Sequence, residues 1–218
     1  VIYGQNLEQA NEVLIGLAIG AYGLSQAIFQ IPFGSLSDKY GRKKLIFIGL
    51  IIFFLGSVLA ASSENIYGVI LGRFLQGAGA IASVLMALLS DLTSFENRTK
   101  AMAMIGMSIG VSFTAALIIG PLVAASYGLQ GIFWLTAFLA ILGMFCLYFL
   151  VPTPLTLTKD RNTRIFKDQI VEVIKNPELI KLDIGIFALH LCLTAVFIAV
   201  PITLQQKLQL PGEEHWLV

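Results

Sequence analysis

Charge is what this sequence has least of. Its 218 residues include 14 Lys and Arg and 13 Asp and Glu, a charged share of 12%, about half the roughly 25% of an ordinary soluble domain. With 57% of residues hydrophobic, so small a polar supply excludes a water-soluble globular protein, whose surface it could not cover. The net charge of +1 excludes a strongly basic nucleic-acid binder. The two cysteines, Cys146 and Cys192, sit inside apolar runs, where they read as small hydrophobes and not as a disulfide or metal pair. No cluster has metal-ligand spacing and no nucleophile has a nearby base, so neither an enzyme nor a metal or cofactor site is indicated.

Long apolar runs are what the chain has instead. Residues 13–33, 45–61, 66–90, 101–125, 132–151 and 184–204 each approach or exceed the roughly 20 residues a helix needs to cross roughly 30 Å of hydrocarbon. They are continuous and do not alternate with period two, so they read as helices and not barrel strands. The expected fold class is all-α, a polytopic membrane bundle with six spans.

Positive charge sets the orientation. Connection 34–44 holds Lys39, Arg42, Lys43 and Lys44; connection 91–100 holds Arg98 and Lys100; connection 152–183 holds Lys159, Arg161, Arg164, Lys167, Lys175 and Lys181. The alternate connections 62–65, 126–131 and 205–218 hold only Lys207. Twelve against one places the first group in the cytoplasm and residues 1–12 in the periplasm. The opening stretch carries no cation to explain an outside start, so an upstream span is expected; Trp216-Leu217-Val218 reads as the beginning of a further one.

The longest connection opens with Pro152 and Pro154. It then places Phe166, Ile170, Val173 and Ile174 on one helical face with charges opposite, either an interfacial helix or a solvated linker helix. The expected division is 1–152 as a first helical bundle, 153–182 as a cytoplasmic linker, and 183–218 as a further helix with the outer loop that follows.

The first cytoplasmic connection reads Gly34-Ser35-Leu36-Ser37-Asp38-Lys39-Tyr40-Gly41-Arg42-Lys43-Lys44. A tight turn between antiparallel helices needs glycine where the backbone bends, which Gly34 and Gly41 supply. Asp38 can accept from a helix N-terminus or from Arg42, whose forked donors suit a carboxylate across the bundle. The run resembles the loop motif G-x-L-[AS]-D-[RK]-x-G-[RK]-[RK] of the major facilitator superfamily at all its key positions. Arg73-Phe74-Leu75-Gln76-Gly77-Ala78-Gly79 is similar to the family's R-x-x-Q-G-x-G pattern in its fourth helix.

The resemblance implies that this chain corresponds to the second to seventh helices of a twelve-helix transporter working by alternating access about a midplane cavity. On its own such a piece is not expected to transport. The resemblance further implies that Arg42 and Asp91 form a charge pair locking an inner gate, with Asp38 completing the cluster; an interfacial carboxylate without a gating role is the alternative for Asp91. Arg73 lies about 10 Å into its span, where a cation costs roughly 2.5 kcal/mol or more unless it finds water or a partner. It either snorkels to the outer surface or, with Gln76 on the same face, lines the cavity, where the resemblance implies proton transfer or substrate binding.

Gly106, Gly110 and Thr114 recur at spacing four ahead of Gly120-Pro121, which suits close helix packing followed by a bend. The stretch resembles the family's antiporter motif G-x-x-x-G-P-x-x-G-G, with Ala116, Ala124 and Ala125 in place of three of its glycines. Gly120-Pro121-Leu122 followed by Tyr127-Gly128 echoes Gly34-Ser35-Leu36 followed by Tyr40-Gly41, as an inverted repeat would. Gln26 and Gln30, one turn apart, are cavity candidates or partners for a neighbouring helix.

No carboxylate lies inside a span. Proton coupling would thus use a carboxylate outside these spans or the titrating His190, for which a hydrogen-bonded bundle histidine is the alternative. Wording around the motifs, such as Ile31-Pro32-Phe33-Gly34 and Ser90-Asp91-Leu92-Thr93, looks most like a bacterial inner-membrane group regarded as proton-driven drug exporters. The implied partners are the lipid bilayer, protons and a small solute; a lipophilic one suits the apolar spans, as lipid contact does equally. A non-transporting structural or channel-like membrane subunit is the rival reading, and it would need neither the loop motif nor the kinked repeats.

Overall fold

The computed structural model describes residues 7–79, 81–153 and 175–208. The amphipathic stretch 164–175, except Lys175, and the terminal apolar run from Trp216 lie outside them. Six helices are described: α1 (Glu12–Tyr40), α2 (Arg42–Ala61), α3 (Ile66–Ala78), α4 (Ala82–Leu92), α5 (Arg98–Phe149) and α6 (Pro177–Leu208), with a 3-10 turn at Phe95–Asn97. No β-strand occurs among the described residues, where one isolated bridge joins Glu8 to Asn65. Helices α1 to α5 belong to one compact unit and α6 to a second.

Each helix boundary has a local cause. Asn11 caps α1 by accepting from the Leu14 amide at 2.8 Å, and Asn65 caps α3 by accepting from Gly68 at 2.9 Å, each satisfying a donor the first turn leaves free. Helix α1 runs through Pro32 and stops where Gly41 turns to φ 99°, a conformation glycine adopts at little cost. This corrects the sequence reading of residues 34–44. Gly34 and Asp38 lie within α1, and the connection to α2 is Gly41 alone. The hydrogen bonds of α1 persist to Ser37, whose carbonyl accepts from the Gly41 amide at 3.0 Å, so only the positive-φ residue bends the chain.

Two further expectations change. Span 66–90 holds as one candidate crossing, Ile66–Leu92, but its helix is interrupted: α3 ends at Ala78 and α4 starts at Ala82, with the Gly79 amide donating back to Gln76 and Leu75. In the other direction, the expected outer connection 126–131 is helical on both sides of a single break at Gly128, φ 66°. Helix α5 has 52 residues, about 78 Å at 1.5 Å each, against roughly 30 Å of hydrocarbon. Both its ends sit at the junction of α1 and α2. Arg98 donates to the Ser90 carbonyl at the end of α4, beside Asp91, which pairs with Arg42, while Lys43 donates to the Val151 carbonyl just past the other end. A helix with both ends on one side must reverse, and Gly128 is where it does. Hence, among the described residues, five stretches are long and apolar enough to cross a membrane, Phe95–Phe149 being one of them, and that one holds two of the expected crossings.

Apolar clusters occupy the two ends of the first unit. Ile15, Ala18, Ala60, Ile66, Val69 and Phe133 form one; Phe33, Leu45, Ile46, Val84, Leu88 and Leu147 form the other. Between them lie buried Ser25, Ser57 and Gln76. In lipid, helices gain little from hiding apolar surface, so close backbone approach and polar contacts do the joining. The crossing of α2 and α3 shows this: a Cβ on Gly56 would stand 2.7 Å from the Gly72 carbonyl oxygen, and one on Gly72 as close to that of Gly56.

The glycines of the first part of α5 behave otherwise. Nothing stands within 4 Å of where a Cβ would lie on Gly106, Gly110 or Gly120, so the expected close packing is not made among the described residues. The reason is placement: these positions face away from the helices of their own unit, and Thr114 bonds back to the Gly110 carbonyl at 3.1 Å. Pro121 lies inside the helix, seven residues before the break at Gly128. Helix α6 starts at Pro177, ahead of the expected span at 184, with Asn176 accepting from the Glu178 amide at 3.1 Å and Glu178 pairing with Lys181 at 3.0 Å.

Candidate functional site

Two polar groups are built into the first unit. The first sits where α1 gives way to α2. Arg42 opens α2 and is followed by Lys43 and Lys44, so three cations crowd a helix N-terminus that carries no acid and no side-chain cap. That is the unfavourable end of the helix dipole for positive charge. Two carboxylates offset it. Asp38, one turn earlier on α1, pairs with Arg42 Nη2, and Asp91, at the end of α4, accepts from Arg42 Nε at 3.1 Å.

Arg42 Nη1 donates to Ser37 Oγ, which in turn donates to the Gly34 carbonyl at 2.6 Å. The Arg42 side chain is 9% exposed, while those of Asp38 and Asp91 are 44% and 35% exposed. A nearly buried cation is thus held by two half-wet acids from two helices, a geometry in which charge-assisted hydrogen bonds are strong but still reach solvent. Gly34, Asp38, Gly41, Arg42 and Asp91 all come together here. Lys43 adds a link, donating to the carbonyls of Tyr148 at 3.1 Å and Val151 at 2.8 Å, where the negative end of α5 welcomes a cation.

The second group lies between the apolar clusters. Arg73 Nη1 donates to Gln76 Oε1 at 2.9 Å, Gln76 Nε2 donates to Ser57 Oγ at 2.8 Å, and Ser57 Oγ donates to the Phe53 carbonyl at 2.8 Å. The guanidinium carbon stands 4.4 Å from the centre of the Tyr22 ring, within cation–π range. No described carboxylate pairs with Arg73. Tyr22, Gln26 and Gln30 follow one another at spacing four along α1, and all are half-buried; neither glutamine amide bonds to Arg73, and the Gln30 carbonyl accepts from Ser83. His190 belongs to the second unit, where its Nδ1 lies 2.9 Å from the Ile186 carbonyl of its own helix.

Sequence reasoning missed four partners. Ser57 and Tyr22 were not singled out, and Ser37 and Lys43 entered only as positions of the loop motif, without partners. Tyr22 was accessible, since it continues the Gln26 and Gln30 face by one turn. Ser57 carried no signal, because a lone serine in an apolar span ordinarily bonds back to its own helix.

Long apolar helices, a charged junction at one end and a polar layer between two apolar ones define a polytopic membrane protein. Residues 3–217 match the family model described as Major Facilitator Superfamily, and the chain belongs to that family, as its motifs indicate. It is 50% identical to the inner membrane transport protein YajR of Escherichia coli over 99% of this chain and 47% of that protein, which meets the bacterial group read from the wording around the motifs. It is 42% identical to an uncharacterized transporter of Buchnera aphidicola over 99% of this chain and 55% of that protein. A class H tetracycline resistance protein of Pasteurella multocida is 35% identical over 52% of this chain and 28% of its own length. The chain spans about half the length of YajR and the Buchnera transporter.

Proposed function

We propose that the chain serves, within a full-length transporter of the bacterial inner membrane, the alternating-access movement of a small solute, coupled to protons and directed outward. The observation that carries this reading is the placement of Arg42, nearly buried at the junction of α1 and α2 and held by Asp38 and by Asp91 from α4. Such a cluster joins separate helices through contacts that water can replace, so it can exist in a made and an unmade state of similar free energy. Gly41 supplies the sharp bend that brings the acid of α1 against the arginine of α2. Arg73, Gln76, Gln26 and Gln30 supply the polar face of a midplane cavity, and Gly120-Pro121 the flexible part of α5. A lipophilic solute bearing an acceptor oxygen suits an arginine that has no carboxylate partner among the described residues; the tetracycline resistance relative supports a drug as cargo.

The test is flux through the full-length protein in phospholipid vesicles, with and without a pH gradient, using tetracycline and ethidium as probes. Gradient-dependent movement of either probe is expected. Arg42→Ala should lower the rate about tenfold, the effect of roughly 1.4 kcal/mol on a two-state balance, with folded yield preserved. Equal rates with and without the gradient would remove proton coupling, and unchanged turnover in both Arg42→Ala and Asp91→Ala would remove the gate. Passive leakage of both probes at equal rates would favour a channel-like subunit.

A further inference from the structure

We propose that Ser57 and Tyr22 are positioning residues that hold the Arg73 guanidinium in one orientation, keeping its unused N–H donors available to an acceptor on the solute. The inference rests on the reading of Arg73 as a cavity residue. Its basis is that the mid-depth hydrogen bonds run in one direction. Ser57 has a single proton and gives it to the Phe53 carbonyl, so only lone pairs remain on Oγ. Gln76 must therefore offer its NH2 to that oxygen, which turns its carbonyl oxygen toward Arg73 Nη1. The opposite amide orientation would set two donors against each other, because guanidinium accepts nothing.

Ser57 is fully buried and Gln76 is 2% exposed, so water does not compete and each link strengthens its neighbour. On the other side Tyr22 covers the guanidinium face at 4.4 Å. Edge and face are thus both held, the edge by Gln76 of α3 as oriented by Ser57 of α2, the face by the Tyr22 ring of α1. Of the five donors a guanidinium carries, one is used within the described chain. A cation at this depth is costly without a partner, and a carboxylate, phenolate or carbonyl oxygen on the cargo fits the remaining donors.

The experiment is nitrogen-15 NMR of the full-length protein in phospholipid vesicles, labelled at arginine, with the Arg73 signals assigned by their loss in Arg73→Lys. Two distinct Nη resonances are expected in the unmodified protein, the mark of a guanidinium that does not rotate freely. Ser57→Ala and Gln76→Leu should each merge them, and Ser57→Thr, which keeps the hydroxyl, should keep them apart. Tyr22→Leu should remove the ring-induced shift that Tyr22→Phe retains. Resolved, unshifted Nη signals in Ser57→Ala would overturn the role of Ser57, and an Arg73 spectrum indifferent to Tyr22→Leu would overturn that of the ring.

The same vesicles report on cargo. Ser57→Ala should raise the KM for tetracycline about fivefold, the effect of one ordinary hydrogen bond, with kcat little changed. Merged resonances with an unchanged KM would leave the positioning intact and overturn instead the assignment of Arg73 to the cavity.

Discussion

The two polar groups of the first unit solve the same problem, an arginine in an apolar bundle, by different means. At the junction of α1 and α2 the cation meets opposite charge, and the acids that neutralise it are 44% and 35% exposed. At mid-depth Arg73 meets an amide, a hydroxyl and an aromatic face, and the innermost partners are almost wholly buried. Acids that are half-wet can exchange their contacts to an arginine for water at modest cost, whereas a buried hydrogen-bond chain cannot. The difference is what the proposed switching at the first and the proposed rigid presentation at the second require.

Substitutions in each region test that contrast. The largest effect is expected from Gly72→Leu, because the new side chain would start 2.7 Å from the backbone of Ala60 and Gly56. Overpacking of this kind costs about 1–3 kcal/mol and at times more. It should part α2 from α3 and dismantle the mid-depth chain, read as lost folded protein in size-exclusion chromatography. Next comes Arg42→Ala, which leaves two acids facing each other without their cation. A loss of about 2 kcal/mol is expected, against about 1 kcal/mol for Asp91→Asn, whose side chain is partly wet, both measured as lowered thermal midpoints.

Salt then separates the two regions. Raising it from about 0.1 M to about 1 M shortens the screening length from about 10 Å to about 3 Å. The stability difference between the unmodified protein and Asp91→Asn should shrink accordingly, and that of Ser57→Ala should stay the same. If both shrink alike, the contrast between exchangeable and rigid sites is wrong. The smallest effect is expected from Lys43→Met, which removes the cation at the end of α5 and should cost about 0.5 kcal/mol, a slight fall in the thermal midpoint.

Legibility followed the nature of each interaction. Asp38, Arg42 and Asp91 were readable because charged residues are few and their spacing repeats a family pattern. The echo between Tyr40-Gly41 and Tyr127-Gly128 also has a structural counterpart: of the described glycines, these two have positive φ. Gly34 was read as a bend and is helical, since the composition of a loop motif does not tell which of its glycines turns. Span 66–90 looked unbroken because hydropathy registers side chains, while the interruption after Ala78 lies in the backbone. The face of Gly106 and Gly110 looked like a packing surface because small residues permit close approach without providing the neighbour.

Charge scarcity and run length were enough to establish a membrane-crossing helical chain. Those properties depend only on the cost of moving residues from water into hydrocarbon, which is paid residue by residue. Which side chains meet was decided only in three dimensions. Ser57 becomes the end of an arginine's hydrogen-bond chain because glycines let α2 and α3 touch, and Ser37 joins Arg42 because the chain turns at one residue. Such contacts depend on the relative placement of helices far apart in sequence, a quantity that local composition does not contain.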